Sequence, residues 1–210
     1  MKQGMMNLLS RVHSAGVLER RLRVLAAHIG SMLPDSGSVL DVGCGNGTIS
    51  RLVMDASPGL RITGIDVMSR PACDIPFEVY DGERFPQPDG SVDFVLFTDV
   101  LHHVDDPLVL LSEARRVAKK AIIIKDHLCD SGLARRILSI MDWVGNRPHG
   151  VVLPYNYLSS SQWQDAWRRL DTVPDVYITD LGLYPRLLQP IFEKGLHFVG
   201  RLPIKNEPGI

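Results

Sequence analysis

The sequence predicts an α/β domain built on a doubly wound, mostly parallel seven-stranded sheet, with an N-terminal helix and an inserted helix and loop. Three observations predict it. Short β-branched runs alternate with amphipathic stretches along most of the chain, the pattern of β-α-β crossovers. The run at residues 39–42 is followed at once by glycines at every second position, Gly43, Gly45 and Gly47. Aspartates close later runs at Asp66 and Asp81.

Each element has its own signal. Leu8, Leu9, Val12, Ala15, Leu18, Leu22, Leu25, Ala26 and Ile29 recur at spacings of three and four, so residues 5–33 predict one or two amphipathic helices. Arg11, Arg20, Arg21 and Arg23 lie between these positions. That basic face serves a lid or a weak membrane-surface contact on one reading, and plain solvation of a helix packed on the sheet on the other. The opening strand gives way to a helix from about residue 49 to 56, and a turn at Ser57, Pro58 and Gly59 leads to a second strand at 61–65. Further strands are expected at 77–80, 92–97 and 121–124, with a helix at 107–118 before the last of them. A helix at 133–143, an irregular stretch at 144–158, and a helix N-capped by Ser159 and running to about Leu170 come next. Residues 173–179 and 196–202 read as the last strands, and the tail 205–210 as frayed.

Composition narrows the partners. The 210 residues suit one domain with a sizeable core. A net charge of -1 argues against nucleic acid held mainly by phosphate neutralisation, and favours a small or lipid-like partner. Cys44, Cys73 and Cys129 are scattered, with no CxxC pair, so neither a disulfide framework nor a zinc knuckle is indicated. No secretory signal is recognisable in residues 1–16, and no apolar run reaches the ~18–20 residues of a spanning helix. A cytoplasmic protein without a transmembrane segment is the expectation, and its oligomeric state is left open.

Laid beside the strands, these residues resemble the class I S-adenosylmethionine-dependent methyltransferases, in particular their type 11 group. The resemblance covers roughly residues 37–125. Asp41-Val42-Gly43-Cys44-Gly45-Asn46-Gly47 looks like the first motif of that family, Asp66 like the acid ending its second strand, and Asp81-Gly82 like its adenine-side acid. Ser91-Val92-Asp93-Phe94-Val95 and Leu101-His102-His103-Val104 resemble its fourth strand and the following turn. The resemblance implies S-adenosylmethionine as methyl donor, S-adenosylhomocysteine as product, and a donor set of Asp41, Gly43, Gly45, Gly47, Asp66, Val67, Asp81, Gly82 and Thr98. It divides the single domain into an N-terminal helical segment (1–36), a donor-binding core (37–125), an acceptor lid (126–171) and the last strands (172–204).

The residues support this independently. A carboxylate at a strand end about 20 residues past the glycines can accept hydrogen bonds from both hydroxyls of a ribose, which fits adenosylmethionine and NAD alike. Against NAD, Thr48 stands where a dinucleotide turn wants its third glycine. Adenosylmethionine brings no pyrophosphate to the helix N-terminus, its ammonium suits Asp41, and Asp81 is placed for the adenine amino group. Each acid has an alternative as a solvated strand-end carboxylate or a helix cap.

The adjacent His102 and His103 raise the question of a metal. Successive side chains diverge, and no recognisable set of acids or cysteines completes the pair in the sequence, so none is expected. One histidine, His103 in preference, suits a general base on an acceptor hydroxyl, with His127 the alternative and plain packing the competitor for both. Lys125 and Asp126 follow the apolar run 122–124, where the chain is expected to leave the core, and with Trp143, Tyr155 and Tyr157 they form the expected acceptor side. These aromatics serve equally well to pack the loop onto the core. The implied function is methyl transfer to an O, N or C nucleophile of a small-molecule or lipid-like acceptor. The rival readings are a binding module that transfers nothing and an NAD-dependent oxidoreductase.

Overall fold

The computed structural model describes residues 15–69, 71–146 and 154–204. The first ten residues of the expected N-terminal helix, Arg11, part of the irregular stretch and the tail therefore lie outside the described residues. In order the elements are α1 (Ala15–Ser31), β1 (Ser36–Val42), α2 (Thr48–Ala56), β2 (Gly59–Asp66), β3 (Phe77–Val79), β4 (Val92–Thr98) and a single 3-10 turn (Leu101–His103). There follow α3 (Pro107–Val117), β5 (Ala118–His127), α4 (Gly132–Asn146), α5 (Ser160–Arg169), β6 (Val176–Ile178), α6 (Gln189–Phe192) and β7 (His197–Pro203).

The strands form one sheet in the order β3-β2-β1-β4-β5-β7-β6. The first five are mutually parallel, and β7 runs antiparallel to both of its neighbours. Strand order reverses between β1 and β4, so the carboxyl ends of these strands border the crevice where open α/β sheets take ligands.

Both faces of the central strands are buried, which is why they read as continuous apolar runs. Alternate residues feed separate cores. Leu40, Val42, Val95, Phe97, Ile122 and Ile124 meet residues of α3 and α5 on one face. Val39, Phe94, Leu96, Ala121 and Ile123 meet α1 and α2 on the other. From α1, Leu25, Ala26 and Ile29 are buried against this second core, each large side chain contributing roughly 1.5–3 kcal/mol. On the far side of α1, Arg23 pairs with Glu19 in solvent. The Ser159 cap is present as a full capping box with Gln162, and it aims Trp163 and Trp167 into the first core. Among the described residues no helix is long and apolar enough to cross a membrane.

One expectation needs correction. The fifth strand does not end at residue 124. Lys125, Asp126 and His127 continue β5 and pair with Val199, Phe198 and His197 of β7. That pairing satisfies the backbone of the triplet, so the chain stays in the core, with Lys125 and Asp126 fully buried.

Candidate functional site

The glycine turn joins β1 to α2. Gly43, Gly45 and Gly47 have φ of 69°, 57° and 73°, a left-handed conformation that costs glycine little. The amides of Gly43 and Cys44 both donate to Ile65 O, at 2.7 and 3.2 Å, which hooks the turn over the end of β2. A Cβ on Gly43 would stand 2.6 Å from Val100, and one on Gly47 2.7 Å from Ile75. On Gly45 it would meet nothing within 4 Å, so this glycine faces open space.

Three acids surround the turn in different ways. Asp66 is buried at the end of β2, and its carboxylate accepts from the Gly45 amide and from the Met68 amide, each at 2.9 Å. These two bonds orient the carboxylate at the edge of the turn. Asp41 is buried in β1 and accepts from the Ser50 hydroxyl at 2.6 Å. Burial pushes its carboxyl up to about 7; the Ser50 bond opposes that rise and the charge of Asp66 adds to it. Asp81 is exposed and caps its own turn, accepting from the Glu83 and Arg84 amides at 2.8 Å, and these bonds hold its carboxyl below the usual range. Beside it, Val67 is 57% exposed, and a Cβ on Gly82 would come within 3.1 Å of it. The two make a small apolar wall next to the cleft lined by Tyr80, Asp81 and Phe85.

The ends of β4 and β5 are built from side chains. Asp99 follows Thr98 with φ 58°, an uncommon conformation for any residue but glycine, and its amide donates to Lys125 O at 2.9 Å. The Lys125 ammonium, fully buried, pairs with the Asp99 carboxylate. Burial works against the charge on Asp99, but Lys125 and then His102 outweigh it and hold its carboxyl at about 2. Asp126 accepts from His102 Nδ1 at 2.6 Å, the His127 amide at 2.8 Å and the Leu101 amide at 3.0 Å. His127 Nδ1 lies 3.0 Å from His197 Nδ1, and His197 Nε2 lies 3.0 Å from Phe192 O. Burial holds both of these imidazoles well below their usual pKa. The Asp142 carboxylate closes the group, bonded to the Tyr157 hydroxyl and 3.4 Å from His102 Nε2.

The sequence-predicted residues thus divide. The donor set gathers at the ends of β1 to β4, with Thr98 burying a hydroxyl that has no hydrogen-bond partner. Lys125 and Asp126, expected at an acceptor surface, are instead internal charges. Tyr157 is buried, with its ring stacked 5.5 Å from His102, while Tyr155 sits 6.3 Å from Tyr157 and Trp143 is 49% exposed on α4. His103 is half-buried, and burial followed by the neighbouring His102 lowers its pKa to about 4. His102, Asp99, Asp142 and His197 were missed as site residues, because they converge only through β4, β5, α4 and β7 together. Arg21 of α1 was seen only as part of a basic face; its guanidinium lies over the Tyr184 ring at 5.2 Å.

Comparison with known proteins identifies the family and the fold. A family model described as a methyltransferase domain matches residues 14–172. A demethylmenaquinone methyltransferase from Renibacterium salmoninarum is 28% identical over 188 residues, covering 81% of this chain and 78% of that protein. A 2-methyl-6-phytyl-1,4-hydroquinone methyltransferase from Synechocystis is 33% identical over 102 residues, 44% of this chain and 32% of that one. The chain spans only 27%, 32% and 44% of the length of three relatives that it matches. Among solved structures, an S-adenosylmethionine-dependent methyltransferase from Thermotoga maritima, described as a possible histamine N-methyltransferase, superposes with a TM-score of 0.65 at 20% identity, covering 95% of this chain and 96% of that one. The chain belongs to the methyltransferase domain family, with the fold of the class I S-adenosylmethionine-dependent methyltransferases.

Proposed function

We propose that the protein transfers the methyl group of S-adenosylmethionine to a nucleophile on a small-molecule or lipid-like acceptor, within the cytoplasm. The observation that carries the donor half is the open side of Gly45, with the Asp66 carboxylate anchored on the amide of that same glycine. Both features suit a nucleoside whose ribose hydroxyls meet Asp66 and whose amino-acid end passes the bare turn. Asp41 would face the ammonium, Val67 and Gly82 would flank the adenine, and Asp81 would meet its amino group. Gly43, Gly47 and Thr98 would complete the wall. The bound donor supplies an activated sulfonium methyl.

The chain itself then has three tasks. It holds the acceptor in line, excludes water, and takes a proton where the acceptor has one to lose. Trp143 is exposed and Tyr155 half-exposed, as an acceptor contact requires, and the buried Tyr157 ring packs beside Tyr155. His103, less buried than His102 or His127, is the favoured proton acceptor. Two of the matched relatives act, by their names, on a hydroquinone and on demethylmenaquinone, which favours a quinol or phenol carrying an apolar tail.

The reading is tested by calorimetry with adenosylhomocysteine and turnover of labelled donor against phenols, quinols, amines and lipid acceptors. Asp66→Ala should weaken adenosylhomocysteine binding by roughly 1.5–3 kcal/mol, and His103→Ala should cut turnover on hydroxyl acceptors while leaving that affinity intact. Tight binding of adenosylhomocysteine with no acceptor methylated would favour a binding module instead. An unchanged dissociation constant in Asp66→Ala would remove that residue from the site.

A further inference from the structure

We propose that His102, His127, Asp99 and Asp142 form a binding site for a divalent first-row transition ion of the zinc type. Donor atoms of Asp99, His102, Asp126 and His127 all lie within 4.8 Å of one another, and the hydrogen-bond pattern shows which nitrogens are available.

Asp126 accepts from two backbone amides as well as from His102, so it is the acceptor throughout and His102 Nδ1 carries the proton. That leaves Nε2 of His102, which is 2% exposed and has no hydrogen-bond partner although Asp142 Oδ2 is 3.4 Å away. Phe192 O can only accept, so His197 Nε2 carries a proton, and its Nδ1 receives the Nδ1 proton of His127. His127 Nε2 is therefore also a bare lone pair.

The two Nε2 atoms share the Asp142 carboxylate, and His127 Nε2 also faces Asp99. His127 Nε2 is 3.6 Å from Asp99 Oδ1 and 3.9 Å from Asp142 Oδ1. A tetrahedral ion with bonds of about 2.0–2.1 Å has ligand atoms roughly 3.3–3.4 Å apart, a spacing that the 3.4 Å between His102 Nε2 and Asp142 and the 3.6 Å between His127 Nε2 and Asp99 approach. The outer contacts also fit: a ligating histidine donates its other ring N–H to a carboxylate or similar acceptor, as His102 does to Asp126 and His127 to His197. Two imidazoles with carboxylates suit zinc or its neighbours rather than magnesium or calcium. Asp99, 29% exposed, gives a route in.

The competitor is internal. The Lys125 ammonium already pairs with Asp99, so an ion must displace it, releasing a proton or turning the side chain away. The expectation of no metal is revised because the acids come from the residue after β4 and from α4, where sequence spacing could not reveal them.

The test titrates chelator-treated full-length protein with Co2+ at neutral pH. One equivalent should bind, give the intense visible bands of four-coordinate cobalt, and be displaced by Zn2+. Asp99→Asn and His127→Gln should abolish the bands, and Lys125→Met, which removes the rival cation, should bind at least tenfold more tightly. The proposal is overturned if wild type shows no stoichiometric binding, or if His127→Gln binds as wild type does. Should Lys125→Met fail to fold, the comparison of wild type with His127→Gln decides. Adenosylhomocysteine affinity on the same samples reports on the donor turn, so failure of the methyl-transfer reading and failure of the ion site give different results.

Discussion

The edge formed by β1 and β2 and the edge formed by β4 and β5 lie side by side at the same end of one sheet, yet they are made of different materials. The first is backbone: three left-handed glycines, amides hooked on Ile65 O, and one carboxylate tied to the Gly45 amide. The second is side chain: a buried lysine, three aspartates and three histidines whose charges and protons constrain one another. A site made of backbone tolerates changes of side chain but not of glycine. A site made of buried charge tolerates little, because removing one partner leaves the other desolvated.

Four substitutions sharpen this contrast. Lys125→Met should lower stability the most, by about 3–5 kcal/mol in urea denaturation with chelator present, since it strands the Asp99 carboxylate. A loss below about 1 kcal/mol would mean that the charges are screened and the edge is not the rigid network described. Asp41→Asn should act next, and through pH. With its folded pKa raised to about 7, Asp41 contributes stability that is fully present below the unfolded value and lost as pH rises through about 7. The variant should therefore flatten the decline between pH 4 and 8, gain on wild type at pH 8 without donor, and bind adenosylhomocysteine more weakly. A parallel decline in both proteins would assign the titration elsewhere. The smallest effect on folding belongs to Gly45→Ala, at about 1–2 kcal/mol from its positive φ alone, because its new methyl meets no protein atom. That methyl should cost donor affinity at least tenfold. Gly47→Ala, which meets Ile75, should reverse the emphasis and harm folding more than binding.

The same contrast explains what was legible in the sequence. The turn at residues 41–47, the acid at Asp66 and the Ser159 cap are local signals, each requiring only a few neighbouring residues to interpret, and each stands in the structure where its spacing puts it. Lys125 and Asp126 were misplaced because charge after an apolar run ordinarily marks solvent, and only the pairing of β5 with β7 reveals otherwise. The place of His102 in the buried network is illegible in the sequence for a related reason. Its orientation is set by Asp126, 24 residues away, and its stacking by Tyr157, so nothing within the His-His pair distinguishes the two. Asp142 lay unremarked in a helix, its role defined by Tyr157 and by histidines from two other elements.

The reversed direction of β7 has a consequence for how such a chain can diversify. A parallel last strand would bring its final residue to the reactive edge, with a helix to follow. Running the other way, β7 brings its first residue, His197, and behind it the connection 179–196 that carries Tyr184, Phe192 and Glu193. Glu193 in turn accepts the amides of Leu183 and Tyr184, so this connection is anchored on itself. Lengthening this connection would leave the crossover helices and the glycine turn in place, but it would have to keep its contacts with α1, where Arg20 donates to Gly182 O and Arg21 lies over Tyr184.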